Sequence, residues 1–436
     1  MPHFHVRPHL HIHLRLGYPY RGSRPISAAG WLAMKVLFLA HLFPLPLDSG
    51  GKIKSYYTLK TLAKEHQVHT LAYVRREQER GLVDELKAIC ADVDVVPLSR
   101  SALRRISDAV SGLLSRRSFI VSRDFRREMQ EAVTRIVRDV RPDAIHIDHL
   151  QMAQFVDFSL PGKRVLDNHN VESLIVKRVA ETSTSPLTRL YASIEWPKLA
   201  RYELDACRKC DIVLTVSEED AETLRAMDGS LGNVRTVPIG VDVEYFRPVE
   251  RNRSSRNILS IGTMYWPPNV DAMLYFHREI LPIIRERFPD CTLTIAGQGP
   301  AKAVTSLAAD SAVKVTGYVE DVREIARNCG VFVVPLRSGS GVRVKILNAL
   351  AMGLPVVSTS IGAEGLDVKD RQHLLIADSP QEFAEAVSKL FQDSELACRL
   401  GRNGRRLACE KYSWDVVGER LLRVYETELG SGGSPQ

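Results

Sequence analysis

The chain has 436 residues, 44% of them hydrophobic and 25% charged, with a formal net charge of +7. That length exceeds one ordinary core and suits two domains, the composition is that of a soluble globular protein, and no run approaches the roughly 18 apolar residues of a spanning helix. The positive charge is local: residues 1–33 hold four Arg and no acid, and Arg100 to Arg127 holds eight Arg against Asp108 and Asp124. This excludes a protein basic throughout for nucleic acid and suggests a surface patch.

Residues 1–33 hold His3, His5, His9, His11 and His13 but begin no periodic pattern. They read as a disordered extension without the layout of a signal peptide, and Met34 is an alternative translation start. From Met34 to about Val241 strands and helices alternate. Met34–Ala40 is a strand, followed by a glycine-containing loop and a helix from about Ile53 to His66. Val68–Val74, Val93–Pro97, Asp143–Asp148, Arg164–Asp167, Ile212–Val216 and Val234–Val237 are further short apolar strands. Such runs separated by helices indicate a parallel, doubly wound sheet.

Arg100–Arg127 has Leu103, Ile106, Val110, Leu113 and Leu114 at helical spacing. It reads either as a contact with an anionic membrane, guiding a lipid-linked acceptor, or as a solvated helix face. The pair Cys207 and Cys210 has no second pair to complete a zinc site, so all seven cysteines read as thiols of a reducing, cytoplasmic compartment.

Residues 247–257 are polar and read as a linker. The alternation restarts with the strand Ile258–Ile261, a helix over Val270–Phe288 and the strands Thr292–Ala296, Val313–Thr316, Val331–Val334 and Pro355–Ser358. Helices are expected at about Val322–Asn328 and Val342–Met352. Leu374–Ile376 is a last strand, and Ser379-Pro380-Gln381-Glu382 is a capping box that starts a helix. The second domain spans 258–412. A helix over 413–429, crossing back to the first domain (34–246), and a tail over 430–436 complete the chain. Two doubly wound halves place a cleft between the carboxyl ends of two sheets, where ligands of open α/β sheets bind.

The loop after Val331–Val334 carries the sharpest chemistry: Pro335, Arg337, Gly339, Ser340, Gly341, Arg343, Lys345 and Asn348. Small residues let backbone approach a ligand, and the free amides of a helix start favour an anion. Arg337, Arg343 and Lys345 are wrong-signed for that helix end unless an anion sits there. A diphosphate resolves the conflict, with Asn348, three residues from Lys345, placed for ribose hydroxyls.

Pro335 to Thr359, followed by Gly362-Ala363-Glu364-Gly365-Leu366, resembles glycosyltransferase family 4 nearly throughout, most closely the sugar transferases of exopolysaccharide-type gene systems. The resemblance spans roughly Met34 to Leu429. It implies a GT-B fold, two Rossmann-like domains facing a central cleft, and a retaining hexosyl transfer from a nucleotide-diphosphate sugar to a saccharide or lipid-linked acceptor, without metal or cofactor. It also implies that Gly50 and Gly51 face the donor phosphates, with Lys52 and Lys54 adding charge. Gly317, Tyr318 and Val319 would meet the base, and Gly262 and Thr263 would open the second domain at the donor. His169 would act near the reacting carbon, with His149 on a second cleft loop. Catalysis would rest on His169, Arg337 and Lys345. Where the family usually carries the second Glu of its E-x7-E motif, this chain has Asn348, and Ser340 stands at the first position. A nucleotide-sugar-binding protein without transfer and a sugar-nucleotide epimerase of the same fold remain alternatives. Gly297-Gln-Gly299 lacks the third glycine of a dinucleotide fingerprint, and Asp92-Val-Asp94 reads as chance.

Overall fold

Short runs of Val, Leu, Ile and Phe can be covered on both faces when they lie inside a parallel sheet flanked by helices. The computed structural model describes residues 33–98, 117–183, 185–339 and 341–429. The expectations for 1–32, for residues 99–116, for Ser340 and for the 430–436 tail fall outside the described residues.

Seven strands form the first sheet: β1 (Lys35–Ala40), β2 (Gln67–Val74), β3 (Asp92–Pro97), β4 (Ala144–Asp148), β5 (Lys163–Asp167), β6 (Ile212–Thr215) and β7 (Val234–Thr236). Their order is β3-β2-β1-β4-β5-β6-β7, with every pairing parallel. The second sheet contains β8 (Asn257–Ile261), β9 (Thr292–Ala296), β10 (Val313–Gly317), β11 (Val331–Val334), β12 (Val356–Ser358) and β13 (Leu375–Ile376) in the order β10-β9-β8-β11-β12-β13, again parallel. Each order runs outward from its first strand and then jumps back past it. The switch points therefore lie between β1 and β4 and between β8 and β11, and those are the places where such sheets bind ligands.

The helices used below are α1 (Gly50–Glu65), α2 (Glu172–Thr182), α3 (Pro186–Lys209), α4 (Pro267–Tyr275), α5 (Val344–Ala351) and α6 (Trp414–Leu429). Three helical regions differ from the sequence expectation. α1 begins at the glycine pair itself rather than at Ile53. α5 begins at Val344, which leaves Arg343 as the flanking residue rather than a helical one. The single helix expected over Val270–Phe288 is broken after α4 by a wide turn over Phe276–Ile280, where the Leu281 amide bonds the Phe276 carbonyl five residues back. Pro282 explains the break: it has no N–H to offer the helical ladder.

The last helix is built into the first half of the molecule. Val417, Leu421, Tyr425 and Leu429 share one buried cluster with Val36, Phe38, Leu59 and Leu62. Gly418 permits this contact, since a Cβ there would lie 3.0 Å from Thr61 Oγ1. Trp414 stacks on Tyr57 at 4.4 Å. All seven cysteines are thiols; Cys207 and Cys210 are buried, and burial pushes Cys210 up to about 12.

Candidate active site

In the first half, the site is built on the ends of β4 and β5. Asp148 closes β4 and is fully buried. Its Oδ2 accepts from Ser55 Oγ of α1 at 2.7 Å and from His149 Nδ1 at 3.0 Å, and its Oδ1 accepts from His169 Nε2 at 2.9 Å. An ionised carboxylate only accepts, so both imidazoles donate to it. The two rings lie 3.8 Å apart between centroids. Their remaining nitrogens both face Gly51: a Cβ there would lie 3.4 Å from His149 Nε2 and 3.8 Å from His169 Nδ1. His149 sits at φ 75, which a non-glycine residue adopts at a cost of about 1–3 kcal/mol, a strain that tends to be kept at functional sites.

Behind this pair lies a second buried set. Asp167 closes β5 and is bonded by Lys54 Nζ, while His146 Nε2 stands 3.4 Å from its other oxygen and His146 Nδ1 shares a bond of 2.8 Å with the Tyr425 hydroxyl. Lys52 Nζ donates to Glu79 Oε1 at 2.9 Å. The two lysines expected to add charge at the phosphates are thus bound by buried carboxylates.

The electrostatics separate the histidines. Burial works against charge on His149, but the Asp148 carboxylate outweighs it and holds that imidazole above its usual value. Burial and then the neighbouring His149 charge push His169 down to about 4. Burial likewise puts His41, 3.1 Å from Asp124, at about 4. Asp148 is raised by burial but held well below the carboxylate range by the charges and bonds of His149 and His169. One carboxylate therefore favours charge on His149, while its neighbour His169 is held toward the neutral form.

These shifts set a pH dependence. Between about 6.5 and about 4 the unfolded chain takes up protons that His169 and His41 refuse in the folded one. Stability is therefore expected to fall as pH drops through that window, by at most about 1.4 kcal/mol per pH unit for each group. Thermal melts across it should show a shallower slope for the His41→Asn, His169→Asn double variant than for wild type.

In the second half, Lys345 lies in the first turn of α5 and its Nζ donates to Asn269 Oδ1 at 2.8 Å. Asn269 in turn donates to the Thr263 carbonyl at 3.0 Å. Gly262 makes room for the ammonium, because a Cβ there would lie 2.9 Å from Lys345 Nζ. Burial, and then the charge of Arg343, lower this lysine to about 7. Arg343 turns back on the loop before the helix, its Nη1 donating to the Gly341 carbonyl at 2.5 Å.

Glycines let the two halves meet at this point. Gly341 has φ 78, and a Cβ there would fall 2.3 Å from Asn170 Oδ1, next to His169 in sequence. Gly50, at the start of α1, would place a Cβ 3.4 Å from Val344 Cγ2. Arg178 of α2 forks onto Glu364 at 3.1 and 2.7 Å and also donates to the Gly339 carbonyl at 3.3 Å. The starts of α1 and α5 therefore face one another, with Gly50, Gly51, His149, His169, Gly341, Arg343 and Lys345 around them.

Arg337 does not join this group. Its guanidinium is bidentate on Asp271, at 3.1 and 2.6 Å, and lies 4.5 Å over the Tyr275 ring. Asp271 is two residues from Asn269 on α4, and residues so spaced point to different faces. Asn348 is half-buried on α5, while Gly317 (φ 70) ends β10 at the edge of the second sheet and the exposed Tyr318 and half-buried Val319 follow it. Asp148, Asn170 and Asn269 were not picked out from the sequence. The usable signal for Asp148 was its place: a carboxylate that ends a fully buried strand.

Residues 56–245 match the family profile described as Glycosyltransferase Family 4, and residues 255–393 match that of Glycosyl transferases group 1. The chain belongs to glycosyltransferase family 4. Its fold is GT-B, shared with Anabaena HepE in complex with UDP-glucose at a TM-score of 0.64, 13% identity, 90% of this chain and 100% of that one. Sucrose-phosphate synthase from Thermosynechococcus elongatus matches at a TM-score of 0.67 and 15% identity over 91% and 100% of the two chains. Among similar sequences, a phosphatidyl-myo-inositol mannosyltransferase of Mycobacterium tuberculosis is 29% identical over 214 residues, 46% of this chain and 56% of the relative. The match thus spans about half the length of that relative. An uncharacterized 44.6 kDa protein in the cps region of Klebsiella pneumoniae is 22% identical over 81% of this chain and 90% of its own. No described helix of this family 4 protein is long and apolar enough to cross a membrane.

Proposed function

We propose that this protein moves a sugar from a nucleotide-diphosphate sugar to an acceptor hydroxyl with retention, in polysaccharide or glycolipid assembly. The observation that carries the reading is the convergence of Lys345, Arg343 and the start of α5 on the Asp148-bound imidazoles across a glycine contact. An ammonium and free helix amides stabilise the charge that grows on a departing diphosphate. That positive charge supplies what a metal ion would, so activity is expected to persist in a chelator. Asp148 and Asp167 are both held by buried partners, which leaves neither open to attack the sugar carbon. This favours a front-face reaction in which the leaving phosphate takes the acceptor proton. His169 would orient the sugar or the acceptor, with His149 beside it. Gly262 and Thr263 would line the donor phosphates, Gly317, Tyr318 and Val319 would meet the base, and Ser340 would contribute to phosphate binding. Arg337, committed to Asp271, is left out of the catalytic group. Phosphatidyl-myo-inositol, named for one relative, and UDP-glucose, bound in a structural neighbour, support a nucleotide-sugar donor and a lipid-linked or saccharide acceptor.

Asn348 favours a second reading, donor binding without turnover, because an amide grips ribose hydroxyls without the charge of a Glu. A thermal-shift screen across UDP, GDP, TDP and ADP identifies the base, and donor turnover with and without acceptor then separates transferase from epimerase. Wild type is expected to turn over one donor, with Asn348→Glu binding it several-fold tighter. If wild type is inert with every donor and Asn348→Glu alone is active, the binding-only reading is correct.

A further inference from the structure

Helix α3 has two unlike faces. Ala192, Glu195, Leu199, Ala200 and Glu203 are buried, whereas Leu187 is 80% exposed, Leu190 61% and Ile194 37%. The spacing of three and four residues sets these three on one stripe, and Val179 of the neighbouring α2 is 37% exposed. An apolar ridge of this kind marks a surface that another body covers.

The charge around the ridge selects that body. Between Ser173 and Tyr202 the bases are Lys177, Arg178, Arg189, Lys198 and Arg201, and the acids are Glu181 and Glu195; Arg178 is neutralised by its fork onto Glu364. Glu195 is buried and accepts from Ser118 Oγ at 2.6 Å and from the Ile120 amide at 3.0 Å, so it gives no charge to the surface. Lys177, Arg189 and Arg201 are exposed. Trp196, half-buried, carries the Lys177 ammonium 5.5 Å above its ring. A second copy meeting this face across a twofold axis would set cations against cations. Anionic headgroups satisfy both features, the leucines entering the acyl boundary and the cations meeting phosphates.

We propose that the α2–α3 pair docks this protein on an anionic lipid surface through Leu187, Leu190 and Ile194. This places the docking on described helices rather than on the basic stretch 100–127 alone. α2 starts two residues after Asn170 and runs 11 residues, about 16 Å, toward the ridge, so the surface lies one helix length from His169. That a lipid-linked acceptor enters from this side rests on the proposed sugar transfer; the docking itself does not.

The test is co-sedimentation of the full chain with vesicles of phosphatidylcholine alone or mixed equally with phosphatidylglycerol. Wild type is expected to bind the mixed vesicles, less so at high salt, and the Leu187→Ser, Leu190→Ser double variant to bind about tenfold less with an unchanged melting temperature. Failure of wild type to bind, or unchanged binding by the variant, overturns the proposal. So does a drop in the variant's melting temperature, which would mean the ridge packs on this chain, or a change in its oligomeric mass without loss of vesicle binding, which would mean a second copy covers it. Transfer to a short water-soluble acceptor is expected to survive in the variant, so loss of docking and loss of the transferase reading give different results.

Discussion

Lys345→Met should lower kcat/KM for sugar transfer by about 10²–10³-fold while leaving the fold intact or more stable. At the start of α5 the Lys345 ammonium fits against Gly262 and is held by Asn269 of α4. Burial and Arg343 bring it to about 7, so near neutral pH it is charged only part of the time. An unfolded lysine titrates at about 10.4. Between about 7 and that value the folded chain therefore binds fewer protons than the unfolded one, and holding the lysine in place costs stability that methionine does not. A diphosphate restores full charge, so donor binding takes up a proton and is expected to weaken as pH rises above about 7 in wild type, but not in Lys345→Met. Melting curves and donor titrations across pH check all three statements. A variant that loses activity together with stability would mark Lys345 as a structural residue.

Asp148→Ala is expected to cost about 3–5 kcal/mol of stability, the usual result of removing one partner from a buried charged group. It is expected to lower kcat/KM at least about a hundredfold as well, because both imidazoles lose the acceptor that orients them. Asp148→Asn keeps the volume and tells the two effects apart. His149 is held above its usual value by the carboxylate, so its contribution is full below about 6.5 and fades as pH rises through its folded value. Without the carboxylate that contribution disappears. His169 loses both the Asp148 charge and bond that raise it and the His149 charge that lowers it, so its titration is expected to move from its present value of about 4. Proton-resonance titration of the two rings in Asp148→Asn checks this, and unchanged titration of both would refute the assigned pairing.

The fold and the phosphate loop were legible in the chain itself. Runs such as Lys35–Ala40 and Val331–Val334 are too short for helices and too apolar to face water, so they specify buried parallel strands. The loop from Pro335 to the start of α5 announces an anion because small residues, a helix start and cations stand next to one another in sequence. The partners of those cations were not legible. Arg337 and Lys345 look alike in sequence, yet one pairs with Asp271 and the other with Asn269, two residues apart on α4. Lys52 and Lys54 are consumed by Glu79 and Asp167, and Asp148 collects Ser55, His149 and His169 from three separate segments. The sequence alone therefore determined the periodic and the local: the two doubly wound sheets and the anion-seeking helix start, because hydrophobic period and backbone amides act over a few residues. Only the tertiary structure decided which charges are free for a ligand, because that depends on which strand ends and helix starts become neighbours, and a charge-assisted hydrogen bond forms only at contact distance.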